Sequence, residues 1–451
     1  MKLAKASARS VVPRRDDTRL IQAIEERAGD DPNFWAFANA ERARGARELY
    51  QYPAMMVSPM QGELLDVIAQ HRGGSPRVTD PFVGSGTTLG EAMRLGLDFT
   101  GVDINALAIL ICQVKARGAT GLDLAAAIDA VVANRRAKGP MSLLRDPWTA
   151  RWYRPDVAAG LGALHAAIRR VDDIHVRRFL WISLAEVART TGHMRLSTPK
   201  LQRREASGLV RPIDVAGAFA TVARRNLEEL ERHTGELRDL GRLTRRGRYR
   251  GEVRLLRGDV RDLEPRRLAA DVVLTSPPYG DNQTTMPYGQ QSFLPLKWTD
   301  PNDIDPRLDP ALLESARRLD GRSLGGSRRI KEDAIKDVCE RSPTLARTVK
   351  KLAQARDPRL RVSSFFADLD GALDRVVAGA APNAHLVLTL GDRTVARSCV
   401  ANAAIVTELL ESRDCHLVTT LERPLRRNKR MATRNEYAET IRSETVLIMR
   451  R

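Results

Sequence analysis

The stretch Asp80–Thr88, which reads DPFVGSGTT, decides the fold of this sequence. A short strand from Pro76 runs into it, and a helix is predicted from Thr88 through Arg94. Gly84 and Gly86 let the backbone pass close to a ligand where a Cβ atom would clash. The helix that follows offers free N–H groups at its first turn. A strand, a glycine-rich turn and a helix in this order predict a site for a nucleotide-like ligand.

Two acidic residues make this prediction more specific. Asp80 stands at the end of the first strand, where a carboxylate can pair with a cationic amino group of a ligand. A second strand, DFTGVDI, carries Asp103 about twenty residues further on, which is the spacing of a carboxylate that binds two ribose hydroxyls. A helix from Ala106 completes a β-α-β-α unit of a parallel sheet. The alternative interpretation is a tight turn that binds nothing.

The segment GDVRDL, Gly258–Leu263, follows the third predicted strand. Asp259 at this position could accept a hydrogen bond from the amino group of an adenine. The alternative is that an acid here caps the next helix, and Asp262 is the better placed of the two for that role.

The segment TSPPY, Thr275–Tyr279, points to the chemistry. It follows the hydrophobic strand ADVVL directly, and its two prolines fix φ and lack N–H groups, so the carbonyls of Ser276 and Pro277 are held in one direction. Ser276 adds an acceptor and Tyr279 adds a flat face. Hydrogen bonds from an aromatic amine to such fixed oxygens favour a tetrahedral nitrogen, which can attack a methyl donor in line. A surface turn is the alternative, and the buried strand before the prolines argues against it.

Charge indicates the kind of partner. The 451 residues include 74 Lys and Arg against 56 Asp and Glu, a net charge of +18 that should attract polyanions such as nucleic acid. A coding bias toward arginine is the alternative, but the charge is clustered at Arg242–Arg257, Arg322–Lys331 and Arg423–Arg430. Of these, Arg322–Lys331 and the loop after TSPPY are the candidates for DNA contact.

Several classes of protein are disfavoured. No run of eighteen or more apolar residues is present, so we expect no membrane span, and the basic start has no apolar region typical of a secretory signal. The four cysteines lie far apart without CxxC pairing, so neither a zinc site nor a disulfide framework is expected. A cytoplasmic location is the default expectation.

Seven strands are predicted in all, and a helical insertion divides them. Two precede residue 121, and five follow at EVRLLRGDV, ADVVLTSPPY, AHLVLTLGD, CHLVTTLE and SETVLIM. Between Gly121 and Gly241 only helices are predicted, at Leu124–Arg135, Asp156–Arg170, Val176–Thr190 and Asp214–Thr234. A polar loop followed by helices fills Gly280–Ala380. Before the first strand we expect a basic arm and two helices, Thr18–Ala28 and Phe34–Tyr50.

The pair DPFVGSGTT and TSPPY resembles the motif pair of DNA methyltransferases that methylate exocyclic amino groups. The serine of the second motif is more typical of bacterial cytosine-N4 enzymes than of adenine-N6 enzymes. Other segments are similar to that cytosine-N4 group: Tyr52-Pro53-Ala54-Met55, the extended loop Ser276–Ser292, SPTL at Ser342–Leu345, GDRTV at Gly391–Val395 and NKRM at Asn428–Met431. The resemblance thus covers most of the chain from Tyr52 onward.

The resemblance implies an α/β fold, the seven-stranded Rossmann-like fold of methyltransferases that use S-adenosyl-L-methionine, here with a helical insertion. It implies cofactor contacts from Tyr52, Pro53, Asp80, Phe82, Gly84, Ser85, Gly86, Thr87, Asp103 and Asp259, and chemistry on a flipped-out base at Ser276, Pro277, Pro278 and Tyr279. No metal is expected. The chain departs from the pattern in its long insertion and at Pro287, where a small apolar residue is expected.

The expected segments are residues 1–50 as an N-terminal arm, 51–120 as the cofactor-binding half, 121–250 as the insertion, 251–300 as the second half with the catalytic loop, 301–380 as the candidate target-recognition region and 381–451 as the last strands. The expected partner is double-stranded DNA. A cognate restriction endonuclease or a defence-system component is compatible with this class, and the sequence determines neither the recognition site nor the oligomeric state.

Five other functions compete with cytosine-N4 methylation of DNA. Adenine-N6 methylation keeps the chemistry and changes the base, and an RNA base amine is a further substrate, although no RNA-binding module is evident. Methylation at cytosine C5 needs a thiolate nucleophile, and no cysteine follows a proline after a strand. A non-catalytic DNA-binding subunit would have no need of the intact motifs. A nicotinamide-dependent dehydrogenase leaves TSPPY unexplained.

Overall fold

The computed structural model describes residues 15–31, 33–37, 46–53, 55–134, 138–196, 198, 200–204, 212–282, 285–326, 330–425 and 443–451. Its strands are β1 (Val78–Asp80), β2 (Phe99–Asp103), β3 (Val253–Arg257), β4 (Ala270–Thr275), β5 (Ala380–Leu390), β6 (Arg393–Val395), β7 (Ser398–Val400), β8 (His416–Pro424) and β9 (Ser443–Arg450). Seven of them form one sheet in the order β3-β2-β1-β4-β5-β9-β8, and β6 pairs with β7 alone.

The large sheet is parallel from β3 to β5 and antiparallel at β9 and β8. The seven predicted strands are the seven strands of this sheet, so their number is confirmed. The β6–β7 hairpin was not predicted. The mixed α/β architecture and the mostly parallel sheet are consistent with the Rossmann-like methyltransferase fold that the resemblance implies.

The helices are α1 (Arg15–Ala28), α2 (Ser58–Arg72), α3 (Thr87–Leu95), α4 (Ala106–Arg117), α5 (Leu124–Ala133), α6 (Met141–Leu144), α7 (Pro147–Trp152), α8 (Pro155–Ile168), α9 (Ile174–Thr191), α10 (Val215–Asp239), α11 (Tyr288–Lys297), α12 (Pro301–Ile304), α13 (Ala316–Arg322), α14 (Glu332–Arg341), α15 (Pro343–Lys351), α16 (Arg356–Gly379) and α17 (Asn402–Glu411). Within the described ranges, none of these helices is long and apolar enough to cross a membrane.

Both faces of the sheet are buried, which explains the nearly continuous apolar run of β4. Successive side chains of a strand point to opposite faces. Val272 and Leu274 therefore pack in the core shared with α2, α3 and α4, whereas Val273 packs in the core shared with α16 and α17. A strand covered by helices on both sides needs apolar residues at every position.

The helical insertion lies between β2 and β3, which are neighbours in the sheet. Its main helices, α5, α8, α9 and α10, confirm the four predicted ones, although α10 ends at Asp239 rather than Thr234. Leu161 and Leu180 belong to the same core as Leu110 of α4. The insertion therefore shares its core with the sheet, while the division of the chain into six segments stays a prediction.

The N-terminal helix α1 confirms the first predicted helix and packs against the last strands. Asp17 of α1 is buried and lies 3.1 Å from Nε of Arg450 in β9. The second predicted helix, Phe34–Tyr50, is wrong at both of its described ends. Short 3-10 turns occur at Phe34–Ala36 and Arg47–Leu49, and Phe37 between them has a left-handed φ of 45°. The apolar residues of this segment do not form one face of a helix. They are buried because each packs in the main hydrophobic core, as Trp35, Leu49 and Tyr50 do.

Candidate active site

The glycine loop joins β1 to α3 at the carboxyl end of the parallel strands. Gly84 and Gly86 have positive φ angles of 49° and 74°, the left-handed region that glycine tolerates best. A Cβ atom on Gly86 would lie 2.8 Å from Sγ of Cys112 in α4. The chain therefore requires glycine at 86 for its conformation and for its close approach to α4.

Asp103 lies at the end of the neighbouring strand and holds the glycine loop in place. Its Oδ2 accepts a 2.9 Å hydrogen bond from the amide of Gly84, and its Oδ1 accepts one of 2.8 Å from the amide of Asn105. Burial raises the pKa of Asp103 to about 6, although the hydrogen bonds from the backbone amides act in the opposite direction and lower it. Each carboxylate oxygen keeps a second lone pair that can accept from a ligand hydroxyl.

Asp80 is fully buried beneath the loop. Its Oδ1 accepts hydrogen bonds of 2.6 Å from the hydroxyl of Thr275 and 3.1 Å from the amide of Phe82. Its Oδ2 is buried and has no hydrogen-bond partner among the described residues. Burial raises the pKa of Asp80 to about 6. Since Thr275 directly precedes Ser276, this carboxylate links the glycine loop to the second motif.

A pocket that is open to solvent lies where the two motifs meet. Seven predicted site residues line it: Tyr52, Phe82, Gly84, Asp103, Asp259, Ser276 and Pro278. The other predicted residues, Pro53, Asp80, Ser85, Gly86, Thr87, Pro277 and Tyr279, do not line it. The structure thus brings half of the predicted set around one cavity, and the rest lies beside or beneath it.

Aromatic rings form one wall of the pocket. Tyr52 stacks on Tyr288, the first residue of α11, with ring centroids 6.1 Å apart and an interplanar angle of 27°. The Tyr52 hydroxyl accepts a 3.2 Å hydrogen bond from the side-chain amide of Asn105. The sequence analysis did not identify Tyr288. Pro287, which departed from the family pattern, is the N-cap residue that directly precedes α11.

Ser276 reaches the pocket from the end of β4. Its hydroxyl lies 3.1 Å from the carbonyl of Thr389 in β5 and 3.4 Å from the hydroxyl of Tyr279. A hydroxyl has one proton, so the shorter bond to the carbonyl is the stronger donation, and the lone pairs of Ser276 Oγ stay available as acceptors. Ser276 therefore offers an oriented acceptor at the pocket wall.

Tyr279 is held from two sides. Its hydroxyl donates a 2.9 Å hydrogen bond to Oε1 of Glu444 in β9, and its carbonyl accepts one of 2.9 Å from the side-chain amide of Asn402. Burial, together with the Glu444 carboxylate, raises the pKa of Tyr279, so the phenol keeps its proton and donates. Neither Glu444 nor Asn402 was predicted from the sequence, because neither belongs to a local motif.

Asp259 lines the pocket and also caps a short turn. Its side chain accepts from the amide of Arg261 at 3.0 Å at the start of the 3-10 turn Val260–Asp262. The prediction that Asp262 is the better cap is therefore wrong, because Asp262 lies inside the turn. The Arg261 guanidinium pairs with Asp259 at 2.6 Å and with Asp368 of α16.

The same arginine fixes a wall of the pocket that the sequence analysis did not predict. Nη2 of Arg261 donates to the carbonyl of Arg322 at 3.0 Å, and Asp368 accepts from the amide of Gly325 at 2.8 Å. These bonds hold the end of α13 against the cavity, where it contributes Leu319, Arg322, Ser323 and Leu324. Arg322 belongs to the predicted cluster Arg322–Lys331, of which residues 327–329 lie outside the described part.

The remaining family-like segments lie around the catalytic loop or outside the described residues. Arg393 of GDRTV forms a buried ion pair of 3.3 Å with Asp281, two residues after Tyr279. Ser342 of SPTL caps α15, away from the pocket. Ala54, NKRM at 428–431 and most of Arg423–Arg430 lie outside the described residues.

The residues present fit S-adenosylmethionine. Its sugar hydroxyls need an acceptor such as Asp103, its cationic amino group needs a negative environment such as the unpaired oxygen of Asp80 provides, and its ring system needs apolar surface such as Phe82 offers. Ser276 lines the same cavity as Phe82 and Asp103. The individual roles of these residues stay predictions.

No model of a protein family matches the chain, and no solved structure matches it. One curated protein does, the type II methyltransferase M.MvaI of Kocuria varians, which is 26% identical over 457 aligned positions covering 96% of this chain and 97% of the relative. The likeness extends through the glycine loop, the insertion and the catalytic loop alike. It supports the placement of this protein among the methyltransferases, the group that its two motifs resemble.

Proposed function

We propose that this protein is a DNA methyltransferase that transfers a methyl group from S-adenosylmethionine to the exocyclic N4 amino group of cytosine at a specific site in duplex DNA. One observation carries the proposal: Ser276 and Pro278 of the second motif line the same cavity as Gly84 and Asp103 of the first. The likeness to a type II methyltransferase over almost the whole chain supports it independently.

In this proposal the glycine loop and its acids bind the cofactor. Asp103 accepts hydrogen bonds from the ribose, and Asp80 supplies negative charge from beneath the loop through its unpaired Oδ2. Tyr52 and Phe82 give apolar contact, and Asp259 accepts from the adenine amino group. When bound, the cofactor supplies an electrophilic methyl group on a sulfonium centre.

The second motif prepares the acceptor. The amino nitrogen of a base is a weak nucleophile because its lone pair is delocalised into the ring. Ser276 Oγ and the carbonyls fixed by the two prolines accept its N–H bonds, which favours a tetrahedral nitrogen with its lone pair directed at the methyl group. Tyr279 lies beside the cavity lining, and in this proposal its ring contacts the base as the base enters, while Glu444 fixes its hydroxyl. The reaction needs no covalent bond to the protein.

Duplex DNA is the proposed substrate because of the +18 net charge and the family resemblance. A base within the stack cannot reach a buried pocket, so the target nucleotide is flipped out. The serine of the second motif favours cytosine over adenine.

Analysis of nucleosides tests this function. Purified protein is incubated with unmethylated duplex DNA and S-adenosylmethionine, and the digested DNA is analysed by mass spectrometry. We expect N4-methylcytosine. N6-methyladenine as the only product would refute the choice of base while retaining the chemistry, and 5-methylcytosine would refute both. A parallel reaction with RNA is expected to give no methylated nucleoside.

A further inference from the structure

A short basic segment, which the sequence analysis did not identify, lies beside the pocket. Residues 193–204, described except for 197 and 199, fold back on themselves after α9. Met194 and Arg203 form an antiparallel bridge, and the amide of Arg195 donates to the carbonyl of Gln202 at 2.8 Å. We call residues 193–204 the basic hairpin.

Among the residues that the structure describes, no acid neutralises the positive charge of the basic hairpin. Arg195, Lys200 and Arg203 are exposed, and Arg204 is half-buried with its Nε donating to the carbonyl of Met194 at 2.8 Å. Within the described ranges, none of these four cations forms an ion pair with a carboxylate, and the described residues of the hairpin include no acid. Most other arginines near the site are paired, as Arg261 is with Asp259.

The distance from His193 to Arg203 and the lowered pKa of His193 show that the cations of the basic hairpin lie close to one another. His193 is buried at the base of the hairpin, and its Nδ1 lies 3.4 Å from Nη2 of Arg203. Burial lowers the pKa of His193, and the positive charges of Arg203, Arg154 and Arg204 lower it further. The lowered pKa favours the neutral form of His193, so this residue adds no positive charge to that of the neighbouring arginines.

One hydrogen bond attaches the basic hairpin itself to the aromatic wall of the pocket, and a second attaches the helix α9 that directly precedes the hairpin. The amide of Leu201 donates to Oε1 of Gln290 at 3.1 Å, and Gln290 lies in the first turn of α11, two residues after Tyr288. Arg189, near the end of α9, donates to Oε1 of Gln51 at 2.8 Å, and Gln51 precedes Tyr52. The hairpin and the end of α9 thus adjoin the two segments that carry the stacked tyrosines.

The largest basic cluster found from the sequence lies elsewhere. Arg242–Arg257 leads into β3, so most of it is at the amino ends of the parallel strands, opposite the pocket. Arg254 pairs with Glu252 at 2.7 Å, and Arg257, at the carboxyl end of β3, pairs with Asp305 at 2.8 Å. Position beside the pocket therefore favours the basic hairpin as the surface that meets a polyanion.

We propose that the basic hairpin binds the phosphate backbone of duplex DNA beside the flipped nucleotide. This rests on the proposed function, since it takes DNA as the substrate. Guanidinium groups match phosphate oxygens in geometry and charge. Contacts of this kind hold the duplex in register against the pocket without reading its sequence.

The test measures the salt dependence of DNA binding. The triple variant Arg195→Gln/Lys200→Gln/Arg203→Gln is compared with wild type by fluorescence anisotropy of a labelled duplex across a salt series, in the presence of S-adenosylhomocysteine. Each phosphate contact contributes about 0.9 to the slope of log affinity against log salt, so the slope should fall by roughly 2 to 3. The triple variant should show the same reduction in slope with two duplexes of unrelated sequence.

A matched control separates position from charge. Arg245, Arg246 and Arg248 are also exposed and form no ion pair within the described residues, but they lie at the opposite end of the sheet. Arg245→Gln/Arg246→Gln/Arg248→Gln should keep the wild-type slope. An unchanged slope in the hairpin variant, or equal losses in both variants, would overturn the proposal. Failure of the wild-type protein to bind or methylate DNA would instead refute the proposed function, and unchanged cofactor affinity of the hairpin variant establishes that it folds.

Discussion

The hydroxyl of Tyr279 donates a 2.9 Å hydrogen bond to Oε1 of Glu444, which joins the catalytic loop to a strand 165 residues further along the chain. Glu444 is itself held by Arg423 of β8, at 3.0 Å through its other carboxylate oxygen. The antiparallel edge of the sheet thus sets the orientation of a side chain that the proposed mechanism uses. Glu444 acts on the base only through Tyr279, as a positioning residue.

Removal of this support should slow methyl transfer without weakening cofactor binding. We expect Glu444→Ala to lower kcat by about tenfold or more, because small errors in orientation are costly in rate. Glu444→Gln retains an acceptor for the Tyr279 hydroxyl and should recover most of the rate. Single-turnover kinetics and calorimetry with the cofactor measure both quantities. Wild-type kcat in Glu444→Ala, or an equal loss in Glu444→Gln, would contradict the role of Glu444.

Asp80 should make the free protein less stable at neutral pH. Its pKa is raised by burial to about 6, against 3.8 for an ordinary aspartate, so the folded state binds its proton more tightly than the unfolded state. Its contribution to the free energy of unfolding is therefore unfavourable above pH 6 and disappears as the pH falls toward 4.

Asp80→Asn tests this directly. The amide keeps the oxygen that accepts from Thr275 and Phe82 and replaces the unpartnered Oδ2. We expect the free energy of unfolding at pH 8 to rise by about 1 to 3 kcal/mol, since one pKa unit corresponds to about 1.4 kcal/mol. The difference should be small at pH 4.5, while affinity for S-adenosylmethionine should fall at pH 8. Urea denaturation at both pH values measures the first effect, and equal stability of the two proteins at pH 8 would refute it.

Asp103 and Ser276 should affect different steps. Asp103→Ala removes the proposed ribose acceptor and the partner of the Gly84 amide, so cofactor affinity should fall by about ten- to a hundredfold with a smaller change in kcat at saturation. Ser276→Ala should lower kcat by about a hundredfold with cofactor affinity within about threefold of wild type. Titration calorimetry and steady-state kinetics on both variants test this, and each serves as the control for the other. Full methyltransferase activity of Ser276→Ala would refute the assignment of Ser276 as a catalytic residue.

Gly86 should tolerate no side chain. Gly86→Ala places a Cβ atom 2.8 Å from Cys112 Sγ at a φ of 74°, which we expect to destabilise the fold by about 2 kcal/mol or more through strain and overpacking. Adding Cys112→Ala removes the steric contact but not the backbone strain. The double variant should therefore recover only part of the loss in chemical denaturation. If the double variant instead loses the sum of the stabilities lost by the two single variants, the contact between residue 86 and Cys112 is not a source of the instability.

The first half of the site could be predicted because its signals are local. Gly84, Gly86 and Asp103 could be predicted from a strand, a turn and a strand of ordinary spacing. In the structure the Asp103 carboxylate accepts a hydrogen bond from the amide of Gly84. TSPPY could be placed at the sheet because it directly follows an apolar strand. In both cases the neighbouring residues in sequence are also neighbours in space.

The rest could not be predicted because it depends on long-range contacts. Glu444 stands at the polar start of β9, between Ser443 and Thr445, and nothing nearby marks it as a partner of Tyr279. Arg261 resembles any other arginine of this basic chain until Asp368, 107 residues later, accepts from it. The predicted helix Phe34–Tyr50 failed for the same reason, since the burial of Trp35 and Leu49 comes from the core and not from helical periodicity.

The central claim is methyl transfer to a base amine of DNA, and DNA made in the presence of the protein tests it most directly. Wild type and Ser276→Ala are expressed in a bacterial host that lacks DNA methylation, and the genomic DNA is sequenced by a method that detects modified bases. We predict N4-methylcytosine at one recurring sequence in the wild-type sample and none in the Ser276→Ala sample. Unmodified DNA from a wild-type sample that contains folded, cofactor-binding protein would contradict the account.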